Sequence, residues 1–185
     1  MKELSLNVLD IVENSVKAGA SLIRIRLEET PETLTLTVED NGCGMREEIL
    51  RGVIDPFYTT RTTRKVGMGI PLLKLAAEQT GGEVAITSRH EAEYPDTHGT
   101  EVAARFYKQH IDFTPMGDII STVTTLIQGS PDIDFEFHHQ SPEFCVDMDT
   151  RQLREVLGEE IPLNAPEILR WIREYLNEQY QNKIK

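Results

Sequence analysis

The sequence predicts an α+β fold of short helices and paired strands, and three observations carry that prediction. Leu4, Val8, Leu9, Ile11, Val12 and Val16 recur at helical spacing and form one apolar side. Ile23, Ile25 and Leu27 alternate with Arg24, Arg26 and Glu28, and Leu34, Leu36 and Val38 alternate with Thr35, Thr37 and Glu39, which is the period of half-buried strands. After Lys108 the succession of helix and strand patterns starts again. A boundary is therefore expected there, between residues 1–108 and a smaller α+β segment, 109–185.

Each element has its own local reason. Gly19 stops the first helix. Thr30-Pro31-Glu32 supplies the turn of a hairpin whose second strand delivers Asp40-Asn41-Gly42-Cys43-Gly44. A short helix is expected from about Arg46 to Val53, ending before Pro56. Residues 57–66 show no apolar period and carry Arg61, Arg64 and Lys65, so they read as an exposed loop. Gly67-Met68-Gly69 opens a helix through Ile70, Leu73, Ala76 and Ala77 that Gly81-Gly82 closes. Val84 and Ile86, then Val102, Ala104 and Phe106, mark two strands joined by a polar loop. Beyond Lys108 a helix is expected from about Asp118 to Gln128, then strands near 134–138 and 144–147. Asp149 or Thr150 caps a helix ending at Gly158. A last helix starts at Asn164 and Pro166 and carries an Ile168, Ile172, Tyr175, Leu176 stripe.

Composition limits the function classes. The 185 residues are 39% hydrophobic and 27% charged, close to an ordinary globular domain. Nineteen basic against 31 acidic residues leave a formal charge of −12, which argues against a broad basic face for nucleic acid or anionic lipid. Residues 1–108 hold 13 basic and 17 acidic residues, whereas 109–185 hold 6 and 14, so the acidity sits mostly in the second segment. The two cysteines, Cys43 and Cys145, show no metal-ligand or disulfide spacing, and a reduced, cytoplasmic setting is expected. No run approaches a membrane span. The five histidines read as surface or packing residues, with a phosphoacceptor or a metal site at His138-His139 the lesser alternatives.

Three features could carry chemistry. Asn7, Asp10, Asn14 and Lys17 fall along one edge of the first helix. There the Asn14 carboxamide offers a neutral oxygen to Mg²⁺, and Asp10, one turn earlier, could order or deprotonate a water or hydroxyl. A plain solvated helix face is the alternative. The Gly67-Met68-Gly69 helix start could admit phosphate oxygens to backbone N–H groups, or could be only a turn. Asp40 could accept an exocyclic amine, or could cap its own turn.

Taken in order, these segments resemble the GHKL superfamily of ATP-binding folds, named for gyrase, the ninety-kilodalton heat-shock chaperones, histidine kinases and MutL. Residues 9–20 look like its N box, Asp40-Asn41-Gly42-Cys43-Gly44-Met45 like its first glycine box, and Gly67-Met68-Gly69-Ile70 like its second. Asp55-Pro56-Phe57-Tyr58-Thr59-Thr60-Arg61 is similar to the segment ahead of the ATP lid in histidine kinases, and Gly99-Thr100 to a Gly-Thr pair on a late strand. The resemblance covers about residues 4–107.

It implies a two-layer α/β sandwich of the Bergerat type, a mixed sheet with helices on one face, holding ATP and Mg²⁺. Carried over residue by residue, Asn14 would bind the metal and Asp40 the adenine amine. Gly42, Gly44, Gly67 and Gly69 would give backbone access, and Thr100 would support the base. Arg61 with Lys17 or Lys65 would neutralise phosphates. Met45, Phe57, Thr59, Thr60, Met68 and Ile70 would complete the nucleotide site. Hydrolysing members carry Glu where this chain has Asp10, a carboxylate withdrawn by roughly 1.5 Å.

The N box begins almost at Met1, so a phosphoacceptor hairpin is not expected, nor is the long transducer segment of gyrase or MutL relatives. The expected function is a nucleotide-dependent regulatory switch with slow ATP hydrolysis. A kinase acting in trans on Ser, Thr or His of a partner, and a non-catalytic ATP sensor, stay open beside it. Residues 109–185 would either complete the core or bind a protein partner through Trp171, Tyr175 and Tyr180.

Overall fold

The apolar stripe of the first helix becomes α1 (Leu4–Lys17), in which Leu4, Val8, Ile11 and Val12 are buried. The two alternating runs become β1 (Leu22–Glu29) and β2 (Thr33–Asp40), paired antiparallel with Ile25 opposite Val38. The computed structural model describes residues 3–54, 69–158 and 160–182. It continues with α2 (Glu47–Ile54), α3 (Gly69–Gln79), β3 (Glu83–Arg89) and β4 (Gly99–Tyr107). Then follow α4 (Ile119–Gly129), β5 (Asp134–Gln140), β6 (Cys145–Asp149), α5 (Thr150–Leu157) and α6 (Pro166–Gln181). The loop expected over 57–66 and the Gly67-Met68 turn lie outside the described residues. No described helix is long and apolar enough to cross a membrane.

The six strands of the described residues form one mixed sheet in the order β3-β4-β2-β1-β5-β6. Every neighbouring pair is antiparallel except β1 and β5, which run parallel with Ile25 beside Phe137. Across one face the helices pack in turn, α3 on α1, α1 on α4 and α4 on α6. Ile23, Ile25, Leu27, Leu36, Phe135 and Phe137 are buried against them, whereas the alternate residues Arg24, Arg26, Glu136 and His138 are half-buried. That is the expected period-two pattern read out as two faces.

On the polar face the charges are matched. Arg24 pairs with Glu39 at 3.1 Å and Glu136 at 2.7 Å, and Arg26 pairs with Glu39 at 3.0 Å. Arg151 joins Glu136 to Asp149.

The expected break after Lys108 marks a place in the chain and not a break in the sheet. β5 lies beside β1, and α4 and α6 continue the helical layer begun by α3 and α1, so one hydrophobic core runs across both segments. Sequence patterning could not reveal this, because adjacency of β5 to β1 is a long-range pairing. Of the two cap candidates for α5, Asp149 accepts from the Arg151 N–H at 2.9 Å. Thr150 is buried, and its hydroxyl accepts from the Phe135 N–H at 2.8 Å, tying the helix start to β5. At the outer edge of β6, the Gln179 carboxamide accepts from the Asp147 N–H at 3.0 Å and donates to the Asp147 carbonyl at 2.9 Å. A side chain thereby occupies ladder groups that an open edge would expose.

Candidate functional site

The end of β2 and the C-terminal half of α1 meet at Asp40. Its Oδ2 accepts from the Ser15 hydroxyl at 2.6 Å and its Oδ1 from the Gly42 N–H at 2.9 Å. A carboxylate has about four acceptor positions, so two contacts leave capacity for a ligand amine. Asp40 lies on the wall of a cavity of about 350 Å³, walled also by α1, α2, the start of α3 and β4. Asn14 and Lys17 come to it from α1, Gly44 and Met45 from the glycine turn, Ile70 from α3 and Thr100 from β4. Seven sequence-predicted residues are thus brought together from five segments.

The cavity also has an apolar lining that motif reading did not assign to it. Ile11, Ala18, Ile49, Val53 and Val102 all face it, with Cys43. Ile49 and Val53 are four apart on α2, so helical periodicity would have placed them on one face. Their pairing with β4 across the cavity is purely tertiary. Apolar walls with one convergent carboxylate suit an aromatic base with an exocyclic amine. Asn14 is half-buried, and among the described residues its carboxamide makes no hydrogen bond, so it is available at the wall as a neutral oxygen donor. Lys17 is more exposed and pairs with Glu13 at 3.6 Å.

Two hydrogen-bond relays fix the glycine turn. The Ser88 hydroxyl on β3 accepts from the Met45 N–H at 2.7 Å and lies 2.8 Å from the Thr100 hydroxyl. His98 holds the Gly42 carbonyl through Nδ1 at 2.6 Å, which requires the proton on that nitrogen. Neither residue carries a sequence signal for this role, since the partners are far away in the chain.

The glycines have packing reasons of their own. Gly44 has φ +68°, and a Cβ there would stand 1.9 Å from the Arg89 carbonyl oxygen. Only glycine lets this turn run so close to β3. A Cβ on Gly69 would stand 2.8 Å from the Asp10 Cβ. Asp10 is therefore packed at the first residue of α3, whose N-terminal dipole favours a carboxylate. Among the described residues, Asp10, Gly42 and Gly69 do not line the cavity. Phe57, Thr59, Thr60, Arg61, Gly67 and Met68, with Arg64 and Lys65, lie outside the described residues.

The fold and part of the sequence have counterparts among known proteins. Residues 2–110 match the family described as "Histidine kinase-, DNA gyrase B-, and HSP90-like ATPase". The sensor histidine kinase GtrS of Pseudomonas aeruginosa is 31% identical over 83 residues, covering 44% of this chain and 17% of that protein. The tetrathionate sensor histidine kinase TtrS of Salmonella typhimurium is 28% identical over 101 residues, 55% of this chain and 17% of that protein. This chain thus matches about one sixth of the length of either kinase. In fold it is similar to the Aquifex aeolicus MutL ATPase domain solved with ADP, with a TM-score of 0.56 at 13% identity. That likeness covers 94% of this chain and 88% of the MutL chain, so it takes in β5, β6 and much of the second segment. With the family match spanning more than half of the chain and ending just past β4, the chain belongs to the histidine kinase-, DNA gyrase B- and HSP90-like ATPase family.

Proposed function

We propose that the chain binds ATP with Mg²⁺ in the cavity between α1, α2, α3 and the β2 and β4 strands, and acts in the cytoplasm as a nucleotide-dependent regulatory switch. The observation that carries the reading is Asp40, a carboxylate fixed by Ser15 and Gly42 on an otherwise largely apolar wall. In that position it would accept the adenine amine and discriminate against a base that presents a carbonyl there. Asn14 would hold the metal, which when bound supplies charge neutralisation to the phosphates. Thr100, tied to Ser88, would support the base. Gly67, Arg61, Thr59 and Thr60 would serve the phosphate side, with Lys17 near the lip.

Asp10 separates two readings of the same site. As a base one turn before Asn14, it would give slow hydrolysis. Its contact with Gly69 favours a second reading, in which it is a structural partner of the α3 N-terminus and the protein only senses ATP. The partner expected for 109–185 is supported by α6, where Trp171 and Tyr175 stack at 4.9 Å and stay 46% and 37% exposed.

The test is an incubation of the chain with Mg²⁺ and γ-labelled ATP, alongside calorimetric titration. Label appearing in free phosphate, and lost in Asp10→Asn with binding preserved, establishes the hydrolytic switch. Saturable binding with all label retained on ATP in both proteins establishes the sensor, or a kinase awaiting its acceptor protein. Absence of saturable ATP binding by the wild-type chain overturns the proposal.

A further inference from the structure

The edge of the sheet farthest from the nucleotide cavity gathers three metal-ligating side chains whose sequence spacing conceals them. His138 lies on β5 opposite Asp147 on β6, and Cys145 precedes Asp147 by two residues, so all three project from the same face of the sheet. Nδ1 of His138 is 2.6 Å from Asp147 Oδ1, and the Cys145 thiol is 3.2 Å from Oδ2. The three donor atoms lie within 4.8 Å of one another. His138 and Asp147 open onto a cavity of about 570 Å³, flanked by Trp171 and Tyr175.

We propose that His138, Cys145 and Asp147 bind one divalent transition-metal ion of the zinc class, with the fourth position open to this cavity. An imidazole nitrogen, a thiolate and a carboxylate oxygen form a borderline-soft set that suits Zn²⁺ or Co²⁺ and does not suit Mg²⁺ or Ca²⁺. With metal bonds of about 2.0–2.3 Å, tetrahedral ligand atoms stand about 3.3–3.6 Å apart. Nδ1 of His138 and Oδ1 of Asp147 stand closer than that because they share a proton, while the Cys145 thiol at 3.2 Å from Oδ2 is already near this range. Reaching the ligated spacing takes a widening of less than about 1 Å between His138 and Asp147, within the reach of side-chain rotation.

The strand beneath is held in place by Gln179, which grips both backbone polar groups of Asp147. On binding, the Cys145 proton leaves to solvent and the metal takes the thiolate. His138 gives up its Nδ1 proton to solvent and takes one on Nε2, so that the neutral ring offers its Nδ1 lone pair to the ion. Three protein ligands leave one position for water or for a donor from another molecule.

The experiment is a Co²⁺ titration of the untagged, chelator-treated full chain without nucleotide. One equivalent should bring up visible d–d absorption of four-coordinate intensity and a near-ultraviolet thiolate-to-cobalt band, both abolished by one equivalent of Zn²⁺. Cys145→Ser should lose the thiolate band, and His138→Gln and Asp147→Asn should each weaken Co²⁺ binding by at least about 10-fold. Cys43→Ser should keep both bands. Circular dichroism establishes that each variant is folded; should Cys145→Ser fail that check, the other two decide the matter. The site is overturned by the absence of visible absorption at one equivalent, by a thiolate band that survives in folded Cys145→Ser, or by affinity unchanged in both folded His138→Gln and Asp147→Asn.

Discussion

Glu29 and Asp40 stand at opposite ends of the β1–β2 hairpin, and their surroundings differ in one instructive respect. Glu29, beside the turn, is charge-neutralised: Lys108 binds one oxygen and His139 Nε2 the other at 3.0 Å. His139 is buried, and its Nδ1 lies 2.7 Å from the Tyr180 hydroxyl. The hydrogen bond from His139, opposed by burial and reinforced by Lys108, lowers the Glu29 carboxyl from 4.5 to about 2. Burial, with the Glu29 charge nearby, holds the Tyr180 phenol above its ordinary range. This cluster locks β1, β5 and α6 together. Asp40, at the open end, has two protein contacts and a cavity in front of it. Each carboxylate has both oxygens bonded once, but Glu29 is neutralised by a cation and belongs to the scaffold, whereas Asp40 is held by a hydroxyl and a backbone N–H and keeps its charge for a ligand.

Replacements at the two ends should break stability and binding separately. The largest effect is expected from Glu29→Ala, which strands His139 and Lys108 and should destabilise folding by about 3 kcal/mol while leaving ATP affinity unchanged. Urea unfolding and calorimetry check the two halves of that statement. Because the folded pKa of Glu29 lies below its unfolded value, its stabilisation is complete above about pH 4.5 and is lost as pH falls toward about 2. The stability gap between wild type and Glu29→Gln should therefore narrow across that window in denaturant titrations. A gap constant with pH would remove the carboxylate from the account.

Asp40→Asn should do the reverse. Folding stability should change little, and ATP affinity should fall by about 1.5–3 kcal/mol, the scale of a hydrogen bond to a charged group. GTP binding should not fall in parallel, and an equal loss for both nucleotides would sink the base-recognition role. The smallest effect is expected from Ser15→Ala, which removes one contact to Asp40 and should weaken ATP by about 1 kcal/mol. Competition against a fluorescent ATP analogue resolves a change of that size. A Ser15→Ala loss as large as that of Asp40→Asn would mean that the serine itself touches the ligand.

Much of this was legible before any coordinates. Period-two alternation defined β1 and β2 because one face of each is buried, and the apolar stripe of α1 defined its buried side. The motif residues Asn14, Asp40, Gly44 and Thr100 do converge on one cavity. Local sequence carries such information because helix and strand periods repeat within a few residues. For the same reason the pattern that restarts after Lys108 says nothing about which strand the next one will join.

Tertiary structure decided the rest. It placed β5 against β1 across more than a hundred residues, for example His138 beside Arg26. It turned Ile49, Val53 and Val102 into walls of one pocket, packed Asp10 against Gly69, and assembled His138, Cys145 and Asp147 from two strands. Residue type and spacing determined what each segment could be, because those preferences act within a turn or a strand. Contacts between distant segments depend on how whole faces bury against one another, and that is settled only when the sheet and its helical layer close on a common core.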